Sequence, residues 1–338
     1  MLQSSMVRYI ALVVLLASGA LVVFLVSRGQ RTSGTDAVQR PQPFRIGALT
    51  ESWGPTPHIT GLRDGLLALG YREYEQFDIG VRFTQGDLAA LPAAAHELVQ
   101  YGVDVLFAVD ENPTKAAQQA TSQLPIVFAG GVEPVREGLV QSFAQPGSNI
   151  TGVTDLTHEL GPKRLEVFQA LLPSLQRVLY VYDARDAATV AEAQGYREAA
   201  SRLGITLVEQ AVQTQEEAQG ILAHVHQGEV DGILKQRSLS LNIPGLILKA
   251  TAQHGLPAMF DAAFWVEQGG LASYGQNFYE TGRQAARLVD KILKGAQPAD
   301  IPVEVNSQIE FVINLKTANA LGVTIAPEVL SQANRLIR

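Results

Sequence analysis

Beyond residue 43 the chain alternates short apolar runs with longer segments whose apolar residues recur at helical spacing. Residues 44–49 (FRIGAL) read as a strand, 60–69 as a helix ending at Gly70, and 79–83 as an alternating strand. Residues 87–101 predict a helix that Asp87 would cap and Gly102 would stop. Residues 103–109 and 126–129 (IVFA) read as buried parallel strands on either side of a helix at 114–121. Gly130 and Gly131 let the backbone leave the second of these at angles closed to other residues. Residues 134–144 then predict a short helix with Pro134 early, where a missing N–H costs little. PGSN at 146–149 breaks the chain before a strand at 150–153. The second half repeats the pattern. It predicts helices at 160–172, 188–203, 216–226 and 244–254, with strands at 177–182, 205–210, 232–235 and 258–260 between and after them. A strong amphipathic helix at 282–293, extended pieces at 303–305 and 310–313, and a terminal helix at 327–337 complete the chain.

Strand–helix alternation of this kind predicts parallel, doubly wound sheets. At 338 residues there is chain enough for about two domains. The expected fold class is therefore α/β, with two Rossmann-like lobes joined by a hinge and a cleft between them. The candidate crossovers are 149–154 and 274–278. Their hinge candidates are Asn149, Thr151, Gly152, Gly275 and Asn277, residue types that suit a segment absorbing backbone rotation.

In an open α/β sheet the loops after the strands line the crevice. That rule selects Thr50, Glu51, Ser52 and Trp53, then Asp110, Glu111 and Asn112, then Gly130, Gly131 and Glu133 in the first half. In the second half it selects Tyr182, Asp183, Gln236, Arg237, Asp261, Phe264 and Trp265, with Tyr274 at a crossover. The ligand-binding candidates are Thr50, Ser52, Trp53, Asp110, Glu111, Asn112, Gly131, Asp183, Gln236, Arg237, Phe264, Trp265 and Tyr274. Trp53 and Trp265 would sandwich a flat ligand across the cleft or pack on their own lobes. Asp110 and Asp183 would hold a cationic or hydroxyl group or cap the following helices. Arg237 would clamp a carboxylate or remain solvated.

Composition narrows the chemistry. A net charge of −7 and an isoelectric point near 5.4 argue against nucleic acid, which needs a basic patch. With no cysteine there are no disulfides, thiolate zinc sites, cysteine nucleophiles or lipidated cysteine anchors. Catalytic and phosphate-binding motifs are absent, including G-x-S-x-G, the Walker loop, H-E-x-x-H and G-x-G-x-x-G. His224 and His226, two apart on a predicted helix, face different ways. The expectation is a binding protein with a small-molecule ligand, no enzymatic activity, no cofactor and no metal, acting as a monomer.

Residues 9–27 carry no charge and lie between Arg8 and Arg28, close to the ~20 residues that span a bilayer. The small residues at 17–20 sit in the middle of the segment, so 1–28 is read as an uncleaved membrane anchor, with a cleaved signal as the alternative. Residues 29–42 read as a flexible linker.

The stretch PIVFAGGVEPVREGLVQSFAQPGSNITGVTDL (125–156) resembles the ABC transporter substrate-binding proteins that include tryptophan- and tyrosine-binding members. Further similarity lies in GLRDGLLALGY (61–71), KRLEVFQALLP (163–173), GGLASYG (269–275) and residues 289–321. The resemblance implies a type I periplasmic binding protein fold and a third crossing near 302–307. The lobes would then be 43–152 with 277–304, and 153–276 with 305–338. It also implies hinge closure on a small molecule, delivery to an ABC permease, and a periplasmic domain held at the inner membrane. Arginines on both sides of the apolar segment do not themselves set that orientation. The chain departs from the amino-acid binders at DENPTKAA (110–117) and at the apolar SLSLNIPGLIL (238–248). The second departure suggests a greasier pocket or a buried helix start. A sensor module for a membrane partner and a lipid carrier are the alternative functions.

Overall fold

The computed structural model describes residues 42–338 apart from positions 132 and 156, and apart from the side chains of 157–159. The apolar segment at 9–27 and the linker before residue 42 lie outside the described residues. Among those described, no helix is long and apolar enough to cross a membrane.

The first half runs β1 (Phe44–Thr50), α1 (Pro57–Ala68), β2 (Phe77–Phe83), α2 (Leu91–Tyr101), β3 (Val105–Val109), α3 (Glu111–Ala120), β4 (Ile126–Ala129) and β5 (Ile150–Asp155). Next come α4 (Thr157–Leu171), β6 (Arg177–Asp183), α5 (Ala187–Leu203), β7 (Thr206–Val212), α6 (Gln215–His224), β8 (Gly232–Leu234), α7 (Ile243–His254), β9 (Ala258–Phe260), α8 (Ala263–Glu267) and β10 (Ala272–Gln276). The chain ends with α9 (Phe278–Leu293), β11 (Glu304–Asn306), β12 (Ile309–Asn314), α10 (Leu315–Ala320), α11 (Pro327–Leu330) and β13 (Arg335–Ile337).

Among the described residues these strands form two sheets. The first has the order β11-β5-β4-β3-β1-β2 and is parallel throughout. The second has the order β13-β12-β10-β9-β8-β6-β7, with one antiparallel pairing between β10 and β12. Each sheet is covered on both faces, which is why β3, β4 and β9 are apolar runs without alternation. On the first sheet, Leu62, Leu66, Leu288 and Val289 of α1 and α9 cover one face, and Leu91, Leu98 and Ala117 of α2 and α3 the other. In the second lobe Phe168 and Tyr196 face Leu222 and Ile247 across the sheet. The α1–α9 crossing is close because a side chain at Gly61 would collide with the Tyr279 carbonyl, and one at Gly282 with the His58 carbonyl.

Two predicted helices are corrected. Residues 134–144 form turns, not a helix. Gly138 takes a left-handed φ of 67°, and the amides of Leu139 and Val140 both donate to the Pro134 carbonyl. Leu139 and Val140 are buried side by side while Val135 and Phe143 are exposed, so no helical face exists to bury. The terminal helix stops at Leu330. Asn334 exchanges hydrogen bonds with the Phe311 backbone and steers β13 onto the free edge of β12.

Strand pairing sets where the chain passes between the sheets. β5 continues to Asp155 and pairs with β11 through Asn306, so the chain leaves the first lobe after Asp155 and again after Asn306, and re-enters it after Gln276. The first sheet thus draws on strands from 44–155 and on Glu304–Asn306, with α9 (Phe278–Leu293) packed against it. Thr151 and Gly152 lie inside β5, and Asn149 just before it donates from its side chain to the Leu124 carbonyl at 2.7 Å. Thr151 is buried and donates to the Ile301 carbonyl at 2.8 Å. Gly152 and Gly275 are ladder positions where a Cβ would meet the carbonyls of Phe128 and Asp261. At both, the missing side chain lets neighbouring strands approach closely. Asn277 does stand at a crossover, capping α9 through the Glu280 amide and donating its own amide to the Gln308 carbonyl.

Candidate functional site

A cavity of about 260 Å³ lies between the lobes, where the C-terminal ends of β1, β3, β4, β6, β8 and β9 meet. Its walls carry Pro55, Pro57, Leu239 and Ala262 with the rings of Trp53, His58, Phe264, Trp265 and Phe278. Trp53 stands at the rim, 41% exposed. Trp265 is fixed in its lobe, stacked on Phe260 at 6.1 Å with Phe264 edge-on at 5.0 Å.

The polar lining is unbalanced. Among the described residues that line the cavity, Glu51, Asp110, Glu111, Asp155, Asp186 and Asp261 bring carboxyl groups, and Lys235 and Arg237 bring the fixed cations; Glu111 is paired at 2.7 Å with Lys115 outside the lining. Both cations are engaged by the protein. The Lys235 ammonium donates to Asp261 Oδ2 at 2.8 Å and to the carbonyls of Gln236 and Arg237. The Arg237 guanidinium donates across the cleft to the Gly131 carbonyl, and its backbone amide donates to Glu192 Oε2 at 2.8 Å. Two further hydrogen bonds span the lobes: Ser238 Oγ donates to Glu51 Oε2 at 3.2 Å, and Asn112 Nδ2 reaches Asp186 Oδ2 at 3.5 Å. Asn112 Nδ2 also donates to Glu51 Oε1 at 2.9 Å.

Burial shifts the titration of Glu51, Asp110 and His58. Glu51 is pushed up to about 7, chiefly by desolvation and further by Asp186 and Asp110, against the pull of Asn112 and Ser238. Asp110 is pushed up to about 6 by burial, although Arg237, the Gly131 amide and Lys235 act the other way. Burial lowers His58 to about 4, so its imidazole is neutral at pH 7. Asp110 also holds a φ of 69° with ψ −179°, a backbone region nearly reserved for glycine, and such strain gathers at functional sites.

Of the ligand-binding candidates, Ser52, Trp53, Asp110, Glu111, Asn112, Gly131, Arg237, Phe264 and Trp265 line the cavity. Thr50, Asp183, Gln236 and Tyr274 do not. Thr50 Oγ1 is buried and accepts from the Ser52 amide. Asp183 is held by the Arg185 guanidinium and amide, and Gln236 bridges the Asp183 amide to Ser240. The Tyr274 ring packs on Phe311 in the second lobe's core, while its carbonyl accepts from Arg164. The first three belong to strand ends or tight turns whose side chains return to their own sheet. Glu51 and Asp261, selected by the same rule, line the cavity too. His58, Asp155, Asp186, Lys235, Ser238 and Phe278 are not selected: His58, Asp186 and Phe278 come from helix starts, whereas Asp155 ends β5 and Lys235 and Ser238 follow β8, positions where the strand-end rule could have found them. The apolar segment 238–248 is a buried helix start: Leu241, Ile243, Leu246 and Ile247 enter the second lobe's core, leaving only Ser238, Leu239 and Asn242 at the cavity.

This geometry has known counterparts. A curated tyrosine-binding protein of Clostridioides difficile is 24% identical over 253 residues, 75% of this chain and 72% of that protein. Among solved structures, a conserved domain protein from Vibrio cholerae O1 biovar El Tor superposes with a TM-score of 0.75 at 29% identity. An ABC domain from Streptococcus pneumonia in complex with L-Trp superposes with a TM-score of 0.73 at 26% identity. In each case 87% of this chain covers the whole of the other. The family described as "ABC transporter substrate binding protein" matches residues 51–337, taking in both lobes, every crossover and all the strand-end loops that build the cavity. With two α/β lobes around an internal cleft, the chain belongs to the ABC transporter substrate-binding proteins.

Proposed function

We propose that this substrate-binding protein captures a small amine-bearing molecule with a flat apolar body, held between the lobes and released to an ABC importer without any bond being made or broken. The observation that carries the reading is that Glu51, Asp110 and Asp186 line the cavity with burial raising their titration, while Lys235 is held by Asp261 and Arg237 donates to the Gly131 carbonyl. A ligand ammonium would offset that burial, since a buried carboxylate without a counter-charge is costly. The rings of Trp53, Phe264, Trp265 and Phe278 suit an aromatic or otherwise flat body. The volume, below the usual ~300–1,000 Å³ of ligand pockets, suits an amino acid or amine far better than a lipid. Relatives named for tyrosine and solved with L-Trp support the same class.

The test is thermal unfolding of the full chain in detergent against amino acids, biogenic amines, polyamines, sugars and fatty acids. A ligand at ~100 times its Kd stabilises the fold by about 2.7 kcal/mol. Shifts from amine-bearing compounds, absent with their amine-free counterparts, support the reading; stabilisation by sugars or fatty acids alone would overturn it. Membership of this family also supports an extracytoplasmic domain, tethered through the uncharged residues 9–27. Deleting 1–28 should release the protein from the membrane fraction; a native chain already soluble after cell lysis would refute the tether.

A further inference from the structure

His58 is the second residue of α1, 2% exposed, and lines the cavity. Its ring stacks on Phe278 at 4.6 Å with 24° between the planes. Neither Nδ1 nor Nε2 has a hydrogen-bond partner among the described residues. Buried polar groups in a folded core nearly always find a partner, because desolvation without one is unfavourable. A histidine serving only the core would have at least one of its nitrogens engaged. This one keeps both free beside the Asp110 carboxylate. A side chain built on Gly130 would collide with Asp110 Oδ1 and come within 3.2 Å of His58 Nε2, so the two groups converge on the bare glycine. The backbone on each side is fixed: Gly282 packs against the His58 carbonyl, and the Gly131 amide donates to Asp110 Oδ1 at 3.2 Å.

We infer that His58 reads the amine end of the captured molecule: its imidazole presents an acceptor nitrogen beside Asp110, over Gly130, so that the ligand's ammonium donates to both. This inference rests on the amine-bearing class proposed above and adds the residue that recognises it. A neutral imidazole has one lone pair and one N–H. The lone pair takes an ammonium N–H, and the remaining N–H is left for an oxygen on the same ligand. Burial keeps the ring neutral, so it accepts from a cation instead of repelling one. The orphaned Asp261 Oδ1 on the opposite lobe offers a further acceptor once the lobes are closed.

The experiment compares the full-length wild type with H58F and H58Q. The probes are L-tryptophan, L-tyrosine, the other protein amino acids, tryptamine and tyramine, together with indole-3-propionate and 3-(4-hydroxyphenyl)propionate as amine-free counterparts. Phenylalanine keeps the stack on Phe278 and removes both nitrogens; glutamine keeps a donor and an acceptor. H58F should unfold no lower than wild type without ligand, yet bind the tightest amine-bearing probe at least about tenfold more weakly by calorimetry, the loss of one charged hydrogen bond. H58Q should recover part of that loss. The imidazole 15N resonances of His58 in the wild type should move on saturation. Equal affinity in H58F, or 15N resonances that stay in place on saturation, would overturn the inference while leaving the amine-bearing class intact. If wild type binds no amine-bearing probe, or binds the amine-free counterparts as tightly, the underlying class fails and the role of His58 falls with it.

Discussion

Replacing Glu51 by glutamine should remove a large part of the pH dependence of stability in the ligand-free protein. Burial raises this carboxyl from 4.5 to about 7. A group raised in the folded state contributes stability that is fully present below its unfolded pKa and lost as pH rises through the folded one. The window for Glu51 therefore runs from 4.5 to about 7. At about 1.4 kcal/mol per pKa unit, ionising it inside the cleft costs about 3 kcal/mol by pH 8. Glutamine preserves the acceptor for Asn112 Nδ2 and offers an N–H to the Ser238 hydroxyl, so packing and both hydrogen bonds persist. E51Q should thus match wild type near pH 4.5 and exceed its stability by up to about 3 kcal/mol at pH 8. Urea unfolding at pH 4.5, 6 and 8, with the m-value checked for constancy, measures this directly. If wild type and E51Q lost stability in parallel between pH 4.5 and 8, Glu51 would not be the buried, uncompensated acid described here. Asp110, raised from 3.8 to about 6, contributes a second fall over its own lower window, and that fall should survive in E51Q.

Arg164 is fully buried and donates to Tyr274 O, Tyr196 Oη and Glu192 Oε1, so R164M would remove the ion-pair partner of Glu192 and leave its carboxyl group only the neutral donors Tyr180 Oη and the Arg237 amide in the core. A loss of about 3–5 kcal/mol in urea unfolding is expected, and a loss below 1 kcal/mol would contradict it. G282A should destabilise by about 1–3 kcal/mol, because the new methyl collides with the His58 carbonyl where α1 and α9 cross. The same unfolding assay decides, and a neutral substitution would mean the helices are further apart than described. Trp53, half-exposed at the rim, should shift its fluorescence to the blue when a ligand is captured, and W53F should abolish most of that change. An undiminished signal in W53F would assign it to Trp265 instead.

Much of the architecture is legible in the order of residues, and the physical reason is local. β3, β4 and β9 are short apolar runs because both faces of a parallel sheet are covered, and α5 and α7 end at left-handed glycines, Gly204 and Gly255. The strand-end rule works for Trp53, Asp110, Asn112 and Arg237 because loops at the C-terminal ends of parallel strands have only the crevice to face. Elements held by remote partners are not legible. β13 exists because β12 offers it a ladder, and residues 134–144 turn because their apolar side chains are buried unevenly against the first lobe. The same division runs through the cleft. Asp183 and Glu51 look alike after their strands, yet Arg185 turns one back onto its own lobe while Ser238, 187 residues away, meets the other across the gap. Residue order alone determined two α/β lobes, their family and the loops from which the cleft is built. Only the folded chain decided which carboxyl groups are buried without a counter-charge and which imidazole nitrogens lack partners. Desolvation and pairing depend on neighbours brought together across the whole length of the chain.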